Sequence, residues 1–427
     1  MYRKIVFILI LIISSIACLA QGRVGSPYTR YGVGDINQNS LIRNNAMGKT
    51  SYTLPYNNGI NFINPALTAQ IDSMTFIFDF GFNGGFRTYK TNSQNANMTK
   101  SDFQISHLIF GFPITKWWKT SAGFLPFSNV EYSIADRDSS LNVVKDYMFR
   151  GNGGLNQIVW SNAFTPFKNL NIGINTYYYY GKIYNSNAIS FDDDTGSFLN
   201  TIEQNTIKIS DFSFDAGFNY VLNLNSENDL SIAGVYAYNS HLNSERNTMV
   251  FNSLSTGGSA ITDTVFQSIG EKGKISLAQK FGIGLGFNHK NKFYIGADYT
   301  IHDWTNAKFF EVNDQLSNGA YISVGTEYTP AGRGKMYYKY WQGVSYRTGF
   351  YSNKNFIDLN GTETKISDFG ISFGLGLPMK RSKTSYNLSL QLGRRGSLKN
   401  TLITENYFIF GLSFNLADTW FIKSKFD

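Results

Sequence analysis

Fourteen stretches in which apolar residues occupy every second position, joined by connections that alternate long and short, leave this chain very few folds to choose from. The last of them, "YFIFGLSFNL", sets Phe408, Phe410, Leu412, Phe414 and Leu416 on one face without a charge between them. The same phase recurs in "FIFDFGF" (Phe76, Phe78, Phe80, Phe82), "DFSFDAGFNYVLNL", "KFGIGLGF" and "DFGISFGLGL", while Asp79, Ser213, Asp215, Asn219 and Ser372 fall on the opposite face. Period-2 alternation marks strands whose two faces meet different surroundings. Polar connections near 84-101, 135-154, 186-207, 241-274, 303-317, 352-364 and 395-405 are long, and those near 116-118, 166-169, 225-228, 289-292, 330-334 and 379-383 are short. A soluble sandwich has no reason to sort its connections by parity, whereas an outer-membrane barrel has long loops on the outside and short periplasmic turns. The pattern predicts an all-β fold, a transmembrane antiparallel β-barrel of about 14 strands over 74-416. Its apolar face meets lipid and its polar face lines the lumen, which reconciles the greasy strands with a mean hydropathy of -0.22.

The ends of the chain fit export. Arg3 and Lys4 precede an apolar run from Ile5 to Ile13 and the small-residue segment "SSIACLA". This reads as a signal peptide over 1-20 with cleavage after Ala20, the apolar run being too short to span a bilayer. Lipid attachment at Cys18, the single cysteine, is the rival, and "SIAC" lacks the large aliphatic residue such sites carry. Cleavage leaves a cysteine-free chain with no disulfide framework or thiolate metal site. Losing Arg3 and Lys4 lowers the formal charge from +8 to +6. The excess forms no basic block, which argues against nucleic acid as a partner. The 27 Tyr and 36 Phe suit the aromatic girdles of a barrel in contact with outer-membrane lipid. Residues 417-427, "ADTWFIKSKFD", follow as a periplasmic tail.

Residues 21-73 break the strand pattern with many Gly, Asn and Pro, yet hold Ile60, Phe62, Ile63 and Leu67. That combination suits an irregular plug, or hatch, inside the barrel better than a solvated arm. Asp79, Asp215, Asp298 and Glu327 fall in lumen phase, and the expectation is that they pair with hatch cations such as Arg30 and Arg43. Pro126 lies inside the third strand, "SAGFLPFSNVEYSI", beside Phe124 and Phe127. Proline cannot donate to a strand ladder, so a bulge, a kink or a local separation from the neighbouring strand is expected there. Catalytic and metal-binding chemistry find no support, and no cofactor is expected. His107, His241, His289 and His302 have no ligand spacing, no serine is marked as a nucleophile, and "GIGLGFN" at 282-288 alternates inside a strand instead of opening a helix. "FDDDTG" at 191-196 reads as a solvated acidic loop.

Asn64-Pro65-Ala66, Ala46-Met47-Gly48, "GNGGLNQIVWSNAFTPFKNLNIGINTYYYYG" at 151-181 and the ending "ENYFIFGLSFNLADTWFIKSKFD" resemble the FadL-type long-chain fatty-acid transporter family of outer-membrane barrels, in its Bacteroidota branch. The resemblance covers most of the mature chain through short motifs. It implies fourteen strands around an N-terminal hatch containing Asn64, Pro65 and Ala66. It also implies a lateral opening beside an interrupted third strand, with Pro126, Phe124 and Phe127 as its candidate residues. The function it implies is diffusion-driven uptake of hydrophobic small molecules such as long-chain fatty acids. Some Bacteroidota relatives of this fold resemble subunits of export or assembly machines, such as the shuttle barrel of the type IX secretion system. The alternative is therefore a non-transporting accessory or cargo-carrier subunit with protein partners in an outer-membrane complex. The long segment 241-274, rich in Ser, Thr and Gly, is a candidate contact surface for that role.

Overall fold

The computed structural model describes residues 25-419 except 38-40, 56-58, 92-96, 140-143, 193-197, 254-260, 314-315, 336, 338, 355-365, 381 and 397-402. The proposed signal peptide, Cys18, most of the "FDDDTG" stretch and residues 420-427 therefore lie outside the described residues. Fourteen antiparallel strands close on themselves. They are β1 (Thr75–Lys90), β2 (Asn97–Pro113), β3 (Trp118–Pro126 continued by Ser128–Asp138), β4 (Val144–Phe167), β5 (Leu170–Asp192), β6 (Asn200–Asn223), β7 (Asn228–Ala237 and His241–Ser253), β8 (Ile261–Ser276 and Gln279–His289), β9 (Phe293–Asp303), β10 (Gly319–Tyr328), β11 (Ser345–Lys354), β12 (Ser367–Pro378), β13 (Ser385–Arg395) and β14 (Thr404–Thr419). Each pairs with its chain neighbour, and β14 pairs with β1 from Thr75↔Thr419 to Lys90↔Thr404, so no edge is left at the seam.

The burial pattern is inverted relative to a soluble protein. On β6, Phe212, Phe214 and Phe218 are 57%, 57% and 44% exposed, while the intervening Ser213, Asp215 and Asn219 are 7%, 4% and 0% exposed. The same inversion holds on β14, where Phe408 and Leu416 face outward and Ser413 and Asn415 are buried. Large apolar side chains repeated around the whole outer wall have no protein to cover them, and a bilayer is the solvent that makes such a surface favourable.

Three sequence expectations need correcting. Of the long connections, those near 84-101, 135-154, 186-207 and 241-274 are largely strand among their described residues. Residues 241-253 and 261-274, in the stretch expected to be a contact loop, form the outer parts of β7 and β8 paired with each other, with Ser244–Ser253 also laddered onto β6. Beyond the lipid belt both faces of a strand meet water, so the apolar alternation that announces a strand disappears while its backbone pairing continues. The supposed short turn at 330-334 belongs to a longer connection between β10 and β11, which carries a helical turn at Tyr340–Gly343. The final strand continues past Leu416 to Thr419.

Candidate functional site

Residues 41-55 and 59-71 of the N-terminal segment are almost wholly buried against lumen-facing positions of the strands. Glycines in the wall make room for them. A Cβ on Gly349 of β11 would lie 2.1 Å from the Met47 carbonyl carbon, and one on Gly282 of β8 would lie 2.4 Å from the Tyr52 hydroxyl. The glycines of "GIGLGFN" are therefore places where the segment touches strand backbone, a close approach that side chains would block.

The Asn64-Pro65-Ala66 motif builds one of these contacts. Asn64 Oδ1 accepts from the Ala66 N–H at 3.1 Å and caps the short 3-10 helix Pro65–Gln70, whose first position is filled by proline, a residue with no N–H to leave unpaired. Its Nδ2 donates to the Tyr52 carbonyl at 2.9 Å and to the Phe218 carbonyl of β6 at 3.1 Å, tying the helix both to its own segment and to the wall.

The lumen carboxylates divide in a way the sequence did not resolve. Glu327 on β10 behaves as expected toward Arg43, accepting from Nη2 at 2.9 Å and from Nε at 3.1 Å. It also accepts from Arg347 Nε at 2.7 Å and Arg333 Nη1 at 3.2 Å, so one buried carboxylate holds three guanidinium groups. Asp298 grips the N-terminal segment through backbone, accepting the N–H groups of Ser51 at 2.6 Å and Tyr52 at 3.0 Å. Asp79 and Asp215 do not meet hatch cations. Asp79 bonds His107 of β2 at 3.2 Å, and Asp215 takes Lys280 of β8 at 3.2 Å together with Tyr177 and Asn175 of β5. Arg30 pairs with none of the four and lies over the Phe149 ring at 4.5 Å, where an exposed guanidinium keeps its water and still meets an aromatic face.

The third strand is broken at Pro126. Trp118–Pro126 pairs with β2 on one side, from Leu108↔Phe124 to Pro113↔Lys119, and with β4 on the other. Past the proline, Ser128–Asp138 keeps β4, and its register moves by one residue. Opposite the break sit Gly153 and Gly154, with φ of +115° and +133°, a conformation glycine adopts without steric cost. This explains the "GNGG" at the head of the quoted motif. On the other side, Ser128–Asp138 no longer meets β2, and Asn97–Ser106 of β2 has no second ladder partner among the described residues. Phe124 faces outward, whereas Leu125 and Phe127 point inward, Phe127 standing edge-on to Tyr179 with centroids 4.6 Å apart.

The N-terminal segment occupies the start of that free edge. Asp35 and Ile36 pair with Asn129 and Ser128, the Asn37 N–H donates to the Phe127 carbonyl at 2.8 Å, and the Thr29 hydroxyl accepts from the Glu131 N–H at 3.1 Å. Ion pairs hold it from the far wall. Arg395 of β13 binds both Asp35 carboxylate oxygens at 2.7 and 2.6 Å, and Arg87 of β1, itself paired with Glu405 of β14 at 3.3 Å, lies 4.0 Å from Asp35. Burial opposes ionisation of Asp35, but Arg395 and Arg87 outweigh it and hold its carboxyl below the usual carboxylate range. Sequence reasoning missed Asp35, Arg87, Arg395 and Glu405 as a group, since none of the spacings between them is local.

Two chambers lie near the break, and Phe127 lines the first. One, toward the lumen, is lined by aromatic and aliphatic side chains including Phe62, Phe127, Tyr177, Tyr179, Leu277 and Trp304, with Lys280 and Asp298 among them. The other is mostly polar, lined by Lys49, Arg87, Asp102, Asp368 and Arg395 together with Leu125 and Pro126.

A family model described as BamG matches residues 1-427. No curated protein sequence matches the chain. Among solved structures, the toluene transporter TodX of P. putida is 12% identical, with a TM-score of 0.59 and coverage of 92% of this chain and 99% of its own. The CymD monoaromatic hydrocarbon channel is 12% identical with a TM-score of 0.57, covering 91% and 98%. A Pseudomonas aeruginosa FadL homologue is 11% identical with a TM-score of 0.55, covering 90% and 99%. At such identities the likeness establishes a shared fold, the barrel expected from the FadL-type resemblance, while the matching family model carries a different name.

Proposed function

The chain belongs to the BamG family, and we propose that it is an outer-membrane barrel that works with its N-terminal segment fixed in place, as an accessory or cargo-carrier subunit of an outer-membrane secretion or assembly complex. The observation that carries this reading is the ionic fastening of that segment. Arg43 is held by Glu327 in the lumen and Asp35 by Arg395 at the break, so the way past residues 27-71 is crossed by charge pairs. Breaking a buried pair costs about 3-5 kcal/mol. An apolar cargo makes no interaction that replaces the pairs, so a diffusion-driven channel would open past them only as a rare thermal fluctuation. A fixed plug suits a barrel whose work is done by surfaces presented to protein partners.

A second reading keeps the barrel as a channel for hydrophobic small molecules, of which long-chain fatty acids are one class. The aromatic chamber beside Phe127 and the break at Pro126 favour it, as does the fold shared with hydrocarbon channels. In that reading Asp79, Asp215 and Asp298 keep the lumen wall in order around the cargo. Purification from the native membrane in mild detergent, with mass spectrometry of proteins and lipids, separates the two. A stoichiometric protein partner without an enriched hydrophobic ligand supports the subunit. A solitary barrel carrying fatty acids or similar molecules overturns it in favour of the channel.

A further inference from the structure

The wall of the barrel is taller on one side than on the other. β5 and β6 hold 23 and 24 residues, whereas β9 and β10 hold 11 and 10. β8 stands at the step. Its membrane part is laddered to β9 as far as Gln279↔Asp303, where β9 ends. Ile275 still meets Phe309, and the Lys274 carbonyl accepts from the Phe310 N–H at 3.0 Å. Residues 263-272 are laddered to β7 alone among the described residues. Register shifts in that ladder leave Val265 and Ile269 without a residue opposite, and such bulges re-aim side chains. Val265, Phe266 and Ile269 are 58%, 53% and 69% exposed, and no charge or proline lies between Asp263 and Glu271.

Lipid does not cover these side chains. Ile269 lies 16 positions from Leu285, a lipid-facing residue of the same strand. At about 3.3 Å per residue and a tilt of about 40° that is a height of roughly 40 Å, above an apolar band about 25 Å tall. A second copy cannot pair with the edge either. Two copies in one membrane are related by a rotation about its normal, and half a turn crosses their tilted strands at about 80°. An open edge in water invites a strand from another chain, and exposed apolar side chains mark the contact. We propose that an extended segment of a different protein adds to the barrel as a further strand beside residues 263-272. Its backbone completes the ladder, and its apolar side chains cover Val265, Phe266 and Ile269. Lys272 and Lys274 are exposed and make no ion pair among the described residues, so the segment carries a carboxylate at the end nearer the membrane. The inference rests on the subunit reading and gives the partner its place.

The test purifies the full chain from the native membrane in mild detergent and compares hydrogen exchange in the complex with exchange in the barrel stripped of its partner. Amides within 263-272 are expected to exchange about tenfold more slowly in the complex, while those at 404-419 stay unchanged. A benzoylphenylalanine cross-linker placed at Phe266 and then at Ser268 should attach to one segment of the partner, at points two residues apart, as strand pairing requires. Phe266→Lys sets a charge on the edge and should lower recovery of the partner about tenfold, with the boiling-dependent gel shift of a folded barrel retained. A complex whose exchange at 263-272 is unchanged, or that survives Phe266→Lys, overturns this inference and leaves the subunit reading standing. Attachment of the cross-linker to membrane lipid overturns it too, by placing the edge in the leaflet. A barrel that purifies without a partner overturns both.

Discussion

The seam that closes the barrel and the junction two strands away are opposites. Between β14 and β1 sixteen residue pairs run without interruption, whereas between β2 and β3 only six pairs form before Pro126 ends the ladder. The complete seam is secured by its own backbone. At the incomplete one, the N-terminal segment supplies the missing partner through Asp35, Ile36, Asn37 and Thr29, and remote charges fasten it. An open strand edge is a liability, and here the chain covers part of it with its own N-terminal residues. The contrast makes the segment part of the wall as well as the content of the lumen.

The largest effect is expected where the segment is anchored most deeply. Glu327→Gln leaves Arg43, Arg347 and Arg333 facing one another without a countercharge and should destabilise the folded barrel by about 3-5 kcal/mol. A fall in the midpoint of the boiling-dependent gel shift measures it, and an unchanged midpoint would remove the lumen anchor from this account. Gly349→Val pushes a side chain into the Met47 backbone and should cost about 1-3 kcal/mol of overpacking. Limited trypsin digestion at Arg43 and Lys49 should become faster in that variant, and equal digestion would mean the segment does not press on β11.

The next predictions sharpen the contrast at the junction itself. Asn37→Pro removes the N–H that meets the Phe127 carbonyl, a loss of about 1 kcal/mol. Hydrogen exchange should then accelerate at 128-131 and stay unchanged along the complete seam at 404-419. Acceleration at both places would show that the junction is not a separate unit. The smallest effect concerns pH. Asp35 has a folded pKa below its unfolded one, so its contribution is present above the unfolded value of about 4 and is lost as pH falls through the folded one. Protection at 128-131 should therefore persist at pH 5 and decline only in stronger acid. Loss on raising the pH would contradict the sign.

How much of this was legible follows from what each residue type must satisfy. The strands were readable because lipid on one side and lumen on the other impose period 2 on Phe, Leu and Ile. The outer parts of β5 to β8 were not, because strands wet on both faces obey no such rule. Glu327 and Arg43 could be matched as lumen charge and hatch charge. Arg30 could not be placed, since a cation is satisfied equally by a carboxylate or by the Phe149 ring. Pro126 announced a break, yet only the fold reveals that Gly153 and Gly154 stand opposite it and that residues 35-37 cover it.

The most direct test of a fixed segment is to lock it. Cys18 is the single cysteine of the chain, so Ile36→Cys with Ser128→Cys adds two thiols on partnered strand positions, at a separation a disulfide spans. Cells that depend on this chain should form the cross-link in their membranes and behave as the wild type, with the same co-purifying partners. Cross-linked cells that behave as if the chain were deleted, and recover on addition of a reductant, would contradict the account and make movement of the segment its working step.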